Sequence, residues 1–250
     1  MASGHVDKCC VVGTLHEGEA TGKDIKIDGT IDAYLATPPA DKAQEGKGIL
    51  FIPDVIGIWQ NSKLLADNYA AQGYTVLLPD IFNGDALKLN RSGEFDFVSW
   101  VTKGSTGDNP HTPAAVDPII IKGIKALQDL GIKRIGAVGY CFGAKYVVRH
   151  YKDGIDVGFV AHPTMVEEDE LAAITGPLSI AAAQTDSIFP TEKRHKSEEI
   201  LIKTGLPFQI NLYSGVVHGF AVRCDTSVKI EKFSKEQAFF QAVTWFNEHL

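Results

Sequence analysis

At 250 residues, with 44% hydrophobic and 22% charged side chains, the chain has an average globular composition and the length of one large α/β domain or two small ones. A net charge of −7 and a pI near 5.6 argue against a nucleic-acid partner, whose phosphates call for a basic face, and against binding to anionic lipid. Glycine, at 24 residues against 11 prolines, is enriched in a way that suits tight strand-to-helix turns better than disorder.

The first ten residues, MASGHVDKCC, lack a basic segment followed by an apolar one, so no secretory signal is expected. No apolar run reaches the ~18 to 20 residues of a membrane span. Cys9 and Cys10 are adjacent and offer no CxxC metal spacing. They read as part of a packed N-terminal strand, and together with Cys224 as bystanders in a reduced, cytoplasmic protein.

Residues 48–52 form a continuous apolar run, the pattern of a strand covered on both faces. Residues 61–72 follow with helical spacing, stopped by Gly73, and residues 75–78 are the next strand. The stretch 81–113 breaks the rhythm. It is polar and rich in Gly, Asn and Asp, with aromatics at Phe82, Phe95, Phe97 and Trp100. It reads either as a lid or binding loop or as a floppy surface insertion. Residues 117–130 place Ile120, Ile121, Ile124, Leu127 and Leu130 on one helical face, with Gly131 as the stop. A strand at 132–138 leads into a helix beginning near Phe142. Strands at 157–161, 178–183 and 208–213 and helices at 192–203 and 230–249 complete the series. Such alternation predicts a single α/β domain with a mostly parallel sheet covered by helices on both faces.

The segment RIGAVGYCFGAK, residues 134–145, carries the most chemistry. An apolar strand runs into Gly139-Tyr140-Cys141-Phe142-Gly143 and then a helix, which is the G-x-nucleophile-x-G pattern with Cys in place of Ser. Side chains two residues either side of a nucleophile on so sharp a turn would strike the neighbouring strand and helix, hence the glycines. A structural Cys in a Gly-rich turn is the competing reading. Gly136, Gly139 and Gly143 miss the dinucleotide spacing, and no Walker motif is present.

A nucleophile of this kind needs a base, and the base an orienting acid, in the chain order nucleophile, acid, His. Asp186 follows the strand at 178–183, 45 residues after Cys141; His218, 32 residues further, follows the strand at 208–213. All three fall at C-terminal strand ends, where open α/β sheets bind ligands. No HExxH or close metal pair occurs among the other histidines. His162, in VAHPT, reads as a pocket-lining residue or equally as a turn residue. Donors for a developing oxyanion are expected from the backbone N–H of Phe142 and, in the loop PDVIG, from that of Val55.

Taken together, GYCFGAK, TDSIFP and SGVVHGFA, with FIPDVIGI and LLPDIFNGD upstream, resemble the dienelactone hydrolase family over nearly the whole chain, and its fungal members most. The resemblance implies an α/β-hydrolase fold and a triad of Cys141, His218 and Asp186 that cleaves small-molecule lactones or esters with neither cofactor nor metal. Asp54 takes the place of a glutamate that, in bacterial relatives, contacts and gates the resting thiol. Those relatives also bind the substrate carboxylate with arginines. Here Arg223 is displaced by one residue from such a position. With Arg91, Trp100, His162 and Phe220 it completes the expected pocket. A broad ester or thioester hydrolase and a non-catalytic binding protein of the same fold are the alternative readings. The chain is expected to act as a monomer or homodimer, without nucleic acid or membrane.

Overall fold

The computed structural model describes residues 2–250. Its sheet has eight strands: β1 (Lys23–Ile27), β2 (Ile31–Ala36), β3 (Lys47–Ile52), β4 (Thr75–Pro79), β5 (Arg134–Tyr140), β6 (Val157–Ala161), β7 (Leu178–Thr185) and β8 (Phe208–Val217). Their order is β1-β2-β4-β3-β5-β6-β7-β8. The pairs from β4 to β8 are parallel, and β1 and β2 form an antiparallel edge. Eight α-helices accompany them: α1 (Gln60–Ala71), α2 (Phe97–Lys103), α3 (Pro113–Asp129), α4 (Gly143–Arg149), α5 (Glu168–Ala172), α6 (Thr191–Thr204), α7 (Phe220–Arg223) and α8 (Lys229–His249).

Alternation along the central strands divides the core. Leu50 and Ile52 of β3 join Ile135 and Ala137 of β5 in one apolar layer, which also takes in Ile120, Ile124 and Leu127 of α3 and Val147 of α4. Ile49 and Phe51 of β3 join Val138 and Tyr140 of β5 in the other, covered by Leu65 and Tyr69 of α1 and Ala242 and Phe246 of α8. A strand buried on both faces must be apolar at every position, which is why these segments read as unbroken runs.

Two features position the site. Chain order reverses at the sheet centre: β3 pairs with β4 on one side and with β5 on the other. This switch point leaves a crevice beyond the strand ends, and Ile52 lies opposite Gly139 there, so the loops after β3 and β5 meet. The N-terminal residues then run across that end of the sheet. The N–H of Gly4 donates to Ile188 O, that of Met165 to Gly4 O, and that of Thr14 to Arg223 O.

The expected N-terminal strand is instead a 3₁₀ helix, Lys8–Val11, whose first N–H is capped by the Asp7 carboxylate. The turn drives Cys10 and Val11 into the interior. Residues 81–113 are not a floppy insertion. They carry α2, and Phe82, Leu87 and Trp100 are at most 4% exposed.

Candidate active site

Cys141 sits at the apex of the turn between β5 and α4 with φ +52°, a left-handed conformation that a side chain rarely adopts. The flanking glycines permit it. A Cβ on Gly139 would lie 2.7 Å from Gly143 O and 2.8 Å from the Ala144 Cα, and one on Gly143 would run into Ile52 O. Either methyl would push α4 off the sheet.

The three separated segments converge on this apex. His218 Nε2 lies 3.2 Å from Cys141 Sγ, and His218 Nδ1 lies 2.9 Å from Asp186 Oδ2. The other Asp186 oxygen accepts the N–H groups of Ile188 and Phe189 at 2.8 and 3.1 Å, which fixes the carboxylate plane. All three side chains are buried. Burial alone would raise the Cys141 thiol, but a hydrogen bond from Cys10 and the charge of His218 outweigh it and hold the thiol well below its ordinary value. Burial likewise opposes charge on His218, yet the Cys141 thiolate and Asp186 push it up to about 10. These directions favour a thiolate on Cys141 beside an imidazolium on His218.

This pairing has a pH signature. The ion pair persists from below the ordinary thiol range up to about pH 10, where His218 loses its proton. Alkylation of Cys141 by iodoacetamide is expected to stay level from pH 6.5 to about 9, while an ordinary thiol of pKa about 8.5 accelerates steeply over that span. Peptide mapping of the labelled protein checks this. The stability that the raised His218 contributes is complete below its unfolded value near 6.5 and is lost as pH rises through about 10. Asp186, held below its usual range despite burial by its bonds to His218 and the backbone, contributes in the opposite sense and is lost on acidification.

The N–H groups of Phe142 and Val55 donate to no protein acceptor among the described residues, and both residues are buried where the β3 and β5 loops meet. His162 lies at the site, with its ring 5.0 Å from that of His218 and φ +40°. Burial pushes it down to about 4 against the raising influence of Cys141 beside it, so its imidazole is neutral. Phe220 packs 5.8 Å from it, ring to ring.

Other expected pocket residues are placed differently. Arg223 is buried and ion-paired with Asp54, while its Nε also donates to Val12 O at 3.2 Å and its Nη2 to Cys9 O at 3.3 Å. It is thus spent inside the protein rather than offered to a ligand. Asp54 is likewise committed to Arg223 and to the Ile56 N–H rather than to the thiol. Trp100 approaches the elbow only through Phe142, 6.1 Å away, and packs on His111 and Phe82. Arg91 is exposed and stacks on Phe95, 4.0 Å from the ring centre, at the rim of a 580 Å³ surface cavity that Lys8 and Val11 also line.

Two site residues escaped the sequence reading. Thr164 Oγ1 is 3.3 Å from Cys141 Sγ, held by a bond from its own N–H to Cys141 O. Cys10 is no bystander, because its Sγ lies 3.6 Å from His218 Nε2. A threonine two residues after His162 gives no motif, and a pair of cysteines more than 200 residues from the histidine they meet follows no spacing rule.

A mostly parallel eight-stranded sheet with a cysteine-bearing elbow after its fifth strand is an α/β-hydrolase fold. The chain belongs to the dienelactone hydrolase family, whose model matches residues 31–250. It is accordingly a hydrolase of carboxylic esters, lactones included. It is 48% identical over 253 residues to hydrolase pyvD of Aspergillus violaceofuscus, covering 100% of this chain and 99% of that one. It is 47% identical over 255 residues to hydrolase tropI of Talaromyces stipitatus, with 100% and 99% covered. Among solved structures, a dienelactone hydrolase-like promiscuous phosphotriesterase from metagenomic libraries shares the fold, with a TM-score of 0.69 at 16% identity over 92% of this chain and 97% of that one. Among the described residues, no helix is long and apolar enough to cross a membrane.

Proposed function

We propose that the chain hydrolyses neutral lactones or small esters through a thioester acyl-enzyme on Cys141. The reading rests on one observation above the rest: His218 joins Cys141 Sγ at 3.2 Å to Asp186 Oδ2 at 2.9 Å through its two ring nitrogens. The Cys141 thiolate attacks the carbonyl carbon, and the N–H groups of Phe142 and Val55 receive the oxyanion. As the C–O bond breaks, the Nε2 proton of His218 passes to the leaving alkoxide, which stays tethered when the substrate is a lactone. Neutral His218 then takes a proton from water, whose oxygen attacks the thioester and releases the carboxylic acid and the thiolate. Asp186 holds the Nδ1 proton throughout and steadies the imidazolium.

The preference for neutral substrates comes from Arg223. Its guanidinium is neutralised by Asp54 and buried, so it has no charge to spare for a substrate carboxylate. At the surface cavity, Arg91 and Lys8 are offset by Asp7, Glu94 and Asp96. A cytoplasmic setting, one catalytic domain and a reducing environment for four unpaired cysteines accord with this reading. Profiling kcat/KM over matched lactones with and without a carboxylate is expected to favour the neutral member at least tenfold. A preference for the carboxylated member would reject the substrate assignment and return an arginine to the pocket.

A further inference from the structure

Cys9 has no part in the proposed reaction and Cys10 serves it only through its hydrogen bond to Cys141, yet the 3₁₀ turn brings both sulfurs to the catalytic histidine. The ligand atoms of Cys9, Cys10 and His218 all lie within 4.8 Å of one another. Cys10 Sγ is 3.6 Å from Nε2. Bond lengths of about 2.3 Å to sulfur and about 2.05 Å to nitrogen put the edge of a tetrahedral zinc site at roughly 3.6 Å for N···S and 3.8 Å for S···S. The Cys10–His218 edge therefore already has the length a soft-metal site requires, and Cys9 lies within 4.8 Å of both. We propose that Cys9, Cys10 and His218 form an inhibitory binding site for a thiophilic metal ion of the Zn²⁺ type, with water completing the tetrahedron.

Three further features support it. His218 Nδ1 is hydrogen-bonded to Asp186 at 2.9 Å, which turns Nε2 toward the cluster and reproduces the carboxylate–histidine–metal arrangement that strengthens an imidazole ligand. The charges balance: two thiolates offset the dication, and the nearby Arg223 is already neutralised by Asp54. Cys9 is only partly buried, whereas Cys10 and Cys141 are fully covered, so an ion would reach the cluster from the Cys9 side.

On binding, Cys9 and Cys10 lose their thiol protons and His218 loses the one on Nε2, all to solvent, and each atom donates a lone pair to the ion. Nε2 then has no proton to give a leaving group and no lone pair to accept one from water, so turnover stops until the metal leaves. The binding stands on the cluster geometry alone. The inhibition also rests on the catalytic role proposed for His218.

Calorimetric titration of chelator-treated protein with Zn²⁺ in a phosphine reductant is expected to show one ion per chain, with esterase activity falling in step and returning on chelation. Replacing the chain's cobalt-titrated form for the zinc one is expected to give a thiolate-to-cobalt charge-transfer band. In Cys9→Ser the Zn²⁺ affinity and the inhibitory potency are expected to fall at least tenfold while metal-free activity is unchanged. Cys10→Ser serves as a second ligand variant and Cys224→Ser as a control that keeps native affinity. Cys141→Ala, which the catalytic reading expects to be inactive, is expected to keep the affinity too, which separates this site from that reading. Native affinity in both Cys9→Ser and Cys10→Ser, or no binding to the native chain, would overturn the proposal.

Discussion

Replacing Cys141 with Ala is expected to lower kcat/KM on an activated aryl ester by about four orders of magnitude, because a nucleophile and its base act as a unit. The fold should survive. The substitution removes one sulfur from a turn whose shape is set by Gly139, Gly143 and the N–H bond from Cys141 to Ala161 O, all of which remain. Relief of the left-handed strain at residue 141 is not expected, since alanine also carries a Cβ. His218→Ala is expected to cost about as much, and the double variant little more than either alone. Steady-state kinetics beside thermal melts check both halves. A Cys141→Ala protein that keeps its melting temperature and its activity would move the nucleophile elsewhere.

The second large effect is structural. Arg223 and Asp54 form an ion pair with both side chains at most 1% exposed, tying α7 to the loop after β3. Burial pushes the Asp54 carboxyl up against the lowering charge of Arg223, so the carboxylate depends on its partner to stay ionised. Arg223→Met leaves that carboxylate without a counter-charge and frees the carbonyls of Val12 and Cys9 from their donors. Breaking a buried pair from one side costs about 3–5 kcal/mol, which for a chain of this size is roughly 10 °C in melting temperature. Adding Asp54→Asn to Arg223→Met is expected to recover a good part of that loss, because the unpaired charge goes with it. A single variant within about 2 °C of the native chain would show that the pair contributes little.

The sheet was legible where burial dictated sequence. β3, β5 and β6 are covered on both faces and so are apolar apart from Lys47 and Arg134 at the start of the first two, and each falls within a few residues of its expected limits. The β1–β2 hairpin went unread for the opposite reason. It forms the sheet edge, and its exposed positions, Lys23, Asp24, Lys26 and Asp32, dilute the apolar alternation. Its turn did carry a signal, in Asp28-Gly29, both with positive φ.

The site divides in the same way. Cys141, Asp186 and His218 each follow a strand, so sheet topology alone brings them to one crevice. Arg223 was expected to face substrate and Asp54 the thiol, and they are instead paired with each other. Nothing in one sequence reveals which buried charges pair, because the partners lie 169 residues apart and meet only once α7 docks. Cys10 reaches His218 only because the N-terminal residues cross the sheet. That path is held largely by backbone bonds to Ile188, Met165, Val166 and Arg223, which carry no side-chain pattern.

Acid quenching within the first turnover of an activated ester, followed by peptide mapping in a mass spectrometer, tests the acyl-enzyme most directly. The expected result is an acyl group on the peptide bearing Cys141, which persists in His218→Gln if attack still occurs and is absent from Cys141→Ala. Rapid turnover with no acyl group on Cys141, or with the acyl group on another residue, would contradict the account.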